Sequence, residues 1–200
     1  MIKVLVVEDQ GMVRGALCAL LNLESGIQVV DQAENGRVAL EKLKTLKVDV
    51  LLTDIEMPEM TGIELAEDVA KRYPMLKTVI ITTFGRAGYI KRALASGVVG
   101  FLLKDAPSEQ LASTLRKVVE GKKFIDPELA IAALDDRDPL SDKERKALRL
   151  AGAGKKTSEI AETLFLSEGT VRNYLSEAIS KLNATNRIDA ARIARQKGWL

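Results

Sequence analysis

The sequence contains no histidine. That absence removes Ser-His-Asp and Cys-His catalysis, His-ligated zinc and any phosphohistidine carried by this chain. The single cysteine, Cys18, rules out an internal disulfide framework and fits a reducing compartment. Long apolar runs are also missing. The first run, Ile2–Val7, meets Glu8-Asp9 at once, so it is no signal peptide. No run approaches the ~18 residues a membrane span needs, so the chain is expected to be cytoplasmic with no membrane insertion. Net charge is nearly absent too: 30 Lys and Arg against 28 Asp and Glu leave +2, which announces no nucleic-acid partner.

What is present is the ordinary balance of a globular chain, with 46% hydrophobic and 29% charged residues. At ~150 residues per domain, 200 residues leave room for a second small module. The charge divides unevenly: residues 1–139 hold 18 bases and 21 acids, net −3, whereas residues 140–200 hold 12 and 7, net +5. An acidic front and a basic back, joined near Leu134–Pro139, suggest a sensing or catalytic module attached to an anion-binding one. A chance asymmetry of this size is common, so the motifs must decide.

In the front half, short β-branched apolar runs fall at Ile2–Val7, Gln28–Asp31, Val48–Thr53, Thr78–Thr83 and Val99–Leu103. Stretches with helical spacing alternate with them: Met12–Leu23, Gly36–Leu46, Gly62–Arg72, Ala87–Ala95 and Ser108–Glu120. Continuous apolar strands alternating with helices predict an α/β fold, a flavodoxin-like doubly wound sheet of five parallel strands. Ligands of such sheets gather beyond the carboxyl ends of the strands.

The back half has no strand run. Ser141 with Glu144 forms a capping box ahead of a helix through Leu148 and Ala151, which Gly152 and Gly154 end. Thr157 is expected to cap a second helix, Ser167 a third through Val171, Leu175, Ile179 and Leu182, and Asn186 opens a fourth to Lys197. The result is a small all-α module whose tight Leu164–Ser167 joint reads as a helix-turn-helix.

The acids that matter stand at strand ends. The first strand runs into Glu8-Asp9 and the third into Asp54 with Glu56 two residues on; the fourth ends in Thr82-Thr83 and the fifth delivers Lys104. Carboxylates converging there repel unless one is neutral or a cation sits among them. Oxygen ligands suit Mg²⁺. Lys104 and the Thr82 hydroxyl would then meet the oxygens of a phosphoryl group, and a carboxylate can attack phosphorus to give an acyl phosphate. A single acid at a strand end is usually only a solvated loop residue; the coincidence at four successive strands favours a site.

Val6-Val7-Glu8-Asp9, Thr53-Asp54-Ile55-Glu56-Met57-Pro58, Thr82-Thr83 and Phe101-Leu102-Leu103-Lys104 resemble the signature of response-regulator receiver domains over residues 1 to about 121. The resemblance implies that Asp54 is the phospho-acceptor and that Glu8, Asp9, Asp54 and the backbone carbonyl of Glu56 hold Mg²⁺. It implies Thr82 (with Thr83) and Lys104 as phosphoryl-binding and switch residues, and Phe101 as the switch aromatic, which as a residue reads equally well as plain core. Two departures are Glu8, where aspartate is more usual, and Asp105, where many receivers have proline.

Leu140–Glu144, Thr157–Ala161, Leu166–Tyr174 and Lys181-Leu182 resemble the LuxR-type helix-turn-helix, so the whole chain is similar to the NarL/FixJ class of response regulators. The implied division is a receiver at 1–121, a linker at 122–139 and a DNA-binding domain at 140–200. Glu168, Gly169, Thr170, Arg172, Asn173 and Ser176 lie on the outward face at the start of the third helix. There Arg172 suits guanine and Asn173 adenine. Thr170, Lys155, Lys156, Thr157 and Lys181 are better placed for phosphates, and Gly169 for close backbone approach.

The class implies a histidine kinase and double-stranded promoter DNA as partners, with a homodimer on phosphorylation; RNA polymerase is a further open partner. Met12–Leu23 and Ser108–Glu120 are candidate receiver dimer faces, although Ala16, Leu20, Leu111 and Leu115 read equally as packed inward. Ile188, Ala191 and Ile193 of the last helix are candidates in the basic half. The chain is therefore expected to be a regulator rather than an enzyme. Two rivals stay open: a receiver that never takes up phosphate, and an aspartyl phosphatase of haloacid-dehalogenase type. The second wants Asp where Glu56 stands and leaves residues 140–200 unexplained.

Overall fold

A computed structural model describes residues 1–83, 87–134 and 138–200. They form two compact units, one from residues 1–83 and 89–134 and the other from residues 138–200. In the first unit β1 (Ile2–Val7), β2 (Ile27–Ala33), β3 (Val50–Thr53), β4 (Lys77–Thr82), β5 (Gly100–Leu103) and β6 (Phe124–Ile125) make one parallel sheet in the order β2-β1-β3-β4-β5-β6. The helices are α1 (Gly11–Leu23), α2 (Gly36–Leu43), α3 (Gly62–Arg72), α4 (Ala87–Ala95), α5 (Ser108–Val119) and α6 (Pro127–Leu134).

Side chains alternate across the pleat, so each buried strand feeds two cores. Val4 and Val6, Val50 and Leu52, Val79 and Ile81, and Leu102 pack with α1 and α5 through Leu17, Leu21, Leu111, Leu115 and Val118. Leu5, Val7 and Leu51 face α2 and α3 through Ala39, Leu43, Leu65 and Val69, while Ile80 and Phe101 pack with Ile63 and Ile90. Burial on both faces is why the strands read as unbroken apolar runs.

The sheet gains a sixth strand. Phe124–Ile125 pairs with Gly100-Phe101, and α6 follows, so the stretch read as a linker is not connecting chain throughout. Its two residues are too few to show a period and sit behind Lys122-Lys123. Leu129 and Ala133 of α6 are buried in the core of the first unit. The helix predicted to reach Leu46 ends at Leu43.

Register brings the strand ends together. Val7 pairs with Thr53, and the Asp54 amide donates to the Val7 carbonyl at 3.0 Å, so Glu8 and Asp54 follow side by side. Thr82 pairs with Leu103, and the Lys104 amide donates to the Thr82 carbonyl at 2.8 Å. Behind Asp54, Thr61 caps α3 in a reciprocal box with Glu64, and the Gly62 amide donates to the Ile55 carbonyl. A Cβ on Gly62 would lie 1.8 Å from the Asp54 carbonyl oxygen. Only glycine lets α3 start so close to the strand end.

The second unit consists of α7 (Asp142–Gly152), α8 (Thr157–Leu164), α9 (Glu168–Lys181) and α10 (Arg187–Gln196) around Leu148, Ile160, Val171, Leu175, Ala190 and Trp199. Ser141, Ser167 and Asn186 cap their helices as the sequence predicts. Thr157 does not: it is the first helical residue, and the Lys156 amide is met by Glu159 Oε2 at 2.6 Å. Glu144 of the first capping box is buried and also takes Lys181 Nζ at 2.8 and 2.9 Å, tying α7 to the end of α9.

Gly62→Ala must displace backbone and should cost the first unit about 3 kcal/mol or more, measured by urea unfolding followed by far-UV circular dichroism. Gly36→Ala should cost much less, because its new Cβ meets only the flexible Met60 side chain, 2.7 Å from Cγ. For Glu144, burial alone raises the carboxyl pKa, but the Lys181 and Ser141 hydrogen bonds outweigh it and hold the group at about 2. A depressed carboxyl stabilises the fold fully above its unfolded value near 4.5, and that stability is lost as pH falls toward 2. Glu144→Gln should therefore lose about 1–3 kcal/mol at neutral pH and flatten the acid dependence between those values. Fluorescence of Trp199, the sole tryptophan and buried in this unit, reports it.

Candidate functional site

The three acids of the strand ends converge. Carboxylate oxygens of Glu8, Asp9 and Asp54 lie within 4.8 Å of one another, with Glu8 fully buried, Asp54 nearly so and Asp9 exposed. They stand where β1 and β3 adjoin, the point at which the strand order reverses, and this is where such sheets place ligands. Lys104 reaches in from β5: its Nζ is 2.6 Å from Glu8 Oε2 and 2.9 Å from Asp54 Oδ2. The backbone holds the remaining oxygens, the Ile55 amide donating to Asp54 Oδ1 at 2.7 Å and the Gln10 amide to Glu8 Oε1 at 3.2 Å.

Burial first, and then the neighbouring carboxylates, raise the pKa values of both Glu8 and Asp54, against the lowering effect of Lys104. For Lys104 burial works against the charge, but hydrogen bonds to the two acids outweigh it and raise its pKa. The site thus holds one locked cation among three acids. Hard oxygen donors with a carboxylate surplus are the ligand set of a divalent ion such as Mg²⁺, so the residues present fit that ion.

The other expected residues fall around this centre. Thr82 is buried at the end of β4, and Thr83 follows it, exposed. Phe101 is wholly buried between Ile80 and Ile90. The Glu56 side chain accepts a hydrogen bond from the Tyr89 hydroxyl of α4 at 3.0 Å. Sequence reading missed Tyr89, because a tyrosine at helical spacing carries no signal of a partner 33 residues away. It also missed Arg14, which donates to the backbone carbonyl of Glu8 and so braces the turn bearing the acids. Among the described residues no peptide bond is cis, Lys104–Asp105 included.

In the helical unit the start of α9 is open. Glu168, Gly169, Arg172, Asn173 and Ser176 are exposed, as are Lys155 and Lys156 at the start of α8, with Thr157 half-buried. Arg172 lies 3.5 Å from Glu168, a loose pair between two exposed side chains. Thr170 is half-buried and shares a 2.8 Å hydrogen bond with Ser167. Gly169 has room for a Cβ within the unit. Lys181 stands apart at the far end of α9, engaged by Glu144.

The candidate dimer faces also separate. Leu111 and Leu115 are buried, whereas Ala16 and Leu20 are exposed on α1 together with Met12 and Leu23. On α10 Ala191 is buried and Ile188 exposed. Among the described residues no helix is long and apolar enough to cross a membrane.

Comparison with known proteins agrees with both halves of this geometry. Residues 4–116 match the response regulator receiver domain, and residues 138–194 match the bacterial regulatory proteins of the luxR family. The uncharacterized transcriptional regulatory protein YvfU of Bacillus subtilis (strain 168) is 48% identical over 200 residues, covering the whole of both chains. The transcriptional regulatory protein DesR of the same organism is 45% identical over 199 residues, covering 100% of this chain and 99% of DesR. The two-component response regulator RcsB, solved as a DNA complex, is similar in structure with a TM-score of 0.66 at 25% identity, over 97% of this chain and 98% of RcsB. With an acid cluster at the ends of a parallel sheet, an open helix-turn-helix, and relatives matched over the whole chain, the chain belongs to the NarL class of response regulators, transcriptional regulatory proteins built from a receiver domain and a LuxR-type DNA-binding domain.

Proposed function

We propose that this chain is switched by phosphorylation of Asp54 and that the switch governs its binding to promoter DNA as a homodimer in the cytoplasm. The observation that carries the reading is the convergence of Glu8, Asp9 and Asp54 within 4.8 Å around the Lys104 ammonium. In the proposed step an Asp54 carboxylate oxygen attacks the phosphorus of a phosphohistidine on a kinase; the P–N bond breaks and an acyl phosphate forms. Mg²⁺, held by Glu8, Asp9, Asp54 and the Glu56 carbonyl, supplies counter-charge to the phosphoryl oxygens when bound. Lys104, already 2.9 Å from Asp54, supplies a second. The Thr82 hydroxyl is the group that follows the phosphoryl oxygens, with Thr83 beside it and Phe101 as the side chain that answers the shift. The phosphatase reading is weaker, because the Glu56 carboxylate that would serve as its second acid takes the Tyr89 hydroxyl.

For the helical unit, the open start of α9 supports duplex recognition in a major groove, with Arg172 and Asn173 reading bases. Lys155, Lys156 and Thr157 would set register on phosphates. Lys181 is assigned to the fold through Glu144 rather than to DNA. For the receiver half of the dimer, the exposed Met12, Leu20 and Leu23 favour α1.

Light scattering with beryllofluoride and Mg²⁺ tests the switch: wild type should double its mass, and Asp54→Ala should not. No change in wild type, or the same change without Mg²⁺, overturns it. On DNA, Arg172→Ala should cost about 1–3 kcal/mol at the preferred site and relax base preference there; equal loss on random duplex would remove Arg172 from base reading.

A further inference from the structure

Phe165 is the most exposed large apolar side chain among the described residues, at 95%. It is also one of three non-glycine residues among them with positive φ, lying at φ 55°, ψ 46° as the left-handed cap that ends α8. Its own amide donates to the Glu162 carbonyl, and that of Leu166 to Ala161, so the turn itself is fully formed by backbone. Glycine would make the same turn at less conformational cost and without an aromatic ring in water. The phenyl group is therefore not explained by the fold of its own unit. Strain retained at one exposed position points to a use for the side chain.

Where the ring stands narrows that use. Phe165 precedes Ser167, the cap of α9, by two residues. Two residues span at most about 7 Å. A helix entering the major groove by its first turn has the groove walls close to its cap, since the groove is only about 12 Å wide. A side chain two residues outside that cap meets the sugar-phosphate wall rather than the base edges. The surrounding unit carries 12 basic against 7 acidic residues over 140–200, which suits that polyanion better than an apolar protein surface.

We infer that Phe165 packs its ring on the deoxyribose wall of duplex DNA beside the groove that receives α9. The contact is apolar and independent of sequence, a footing that fixes the approach of the turn while Arg172 and Asn173 read bases. This rests on the DNA-binding reading above, and its test separates the two. Full-length wild type, Phe165→Gly and Phe165→Leu are titrated by fluorescence anisotropy against a short random-sequence duplex over a series of salt concentrations. Thermal unfolding is followed in parallel through Trp199.

Phe165→Gly should bind about three- to tenfold more weakly. It should keep the wild-type salt slope, because no phosphate contact is lost, and unfold at the same or a higher temperature. Phe165→Leu should fall between it and wild type in affinity. Wild-type affinity in Phe165→Gly overturns the inference and leaves the ring to a protein partner; so does a loss accompanied by a changed salt slope, which would mean displaced basic contacts. Failure of wild type to bind the duplex at all overturns the DNA-binding reading itself.

Discussion

The first unit depends on one ammonium group. Lys104 sits between Glu8 and Asp54, and its charge offsets the mutual repulsion of the three acids gathered at the ends of two adjacent strands. At an effective dielectric near 20, each Lys104–acid attraction amounts to about 6 kcal/mol. For oxygens 4.8 Å apart an acid–acid repulsion amounts to about 3 kcal/mol on the same scale, and to less where the exposed Asp9 is one partner. The two effects are of the same order. With three acids to one lysine the site keeps a surplus of negative charge. Burial first, with the neighbouring carboxylates adding to it, pushes the Glu8 and Asp54 pKa values up against the effect of Lys104.

That balance requires placement by backbone rather than by side-chain flexibility. Parallel register fixes it twice, once where Val7 meets Thr53 and once where Thr82 meets Leu103, so that the next residue of each strand emerges at the same edge. Gly62 then lets α3 begin against the Asp54 carbonyl, and Arg14 binds the carbonyl of Glu8 from below. The acids and Lys104 are few; the groups that hold them are mostly backbone groups of four strands, with Gly62 and Arg14 from the helices.

The sequence made this half legible for a physical reason. Strands covered on both faces are apolar almost without interruption, so the polar residues that end each run mark its carboxyl end: Glu8 and Lys104 directly, Thr82 with Thr83, and Asp54 just after Thr53. What stayed hidden depends on neighbours rather than on pattern. The strand Phe124–Ile125 is too short to have a period, and its place is set by β5. The Tyr89–Glu56 bond and the Lys181–Glu144 pair join residues far apart in sequence, so their chemistry could be listed but not their partners. Thr157 looked like a helix cap because threonine serves well there, but Glu159 reaches the Lys156 amide instead.

In the helical unit the same distinction between holding and acting sorts the charges. Glu144 is buried, and its charge is tolerable only because Lys181 and the Ser141 amide meet it. One of the twelve basic residues is thereby committed to the fold. Arg145, bound to Asp138, Asp142 and the Trp199 carbonyl, is a second. Net charge over the whole chain therefore says little about recognition, because pairs of this kind change the number of available cations without changing the net. Lys155, Lys156 and Arg172, exposed at the starts of α8 and α9, are held by nothing stronger than the loose Arg172–Glu168 pair. Helix starts carry the positive end of the helix dipole, so these exposed cations and the backbone field coincide there.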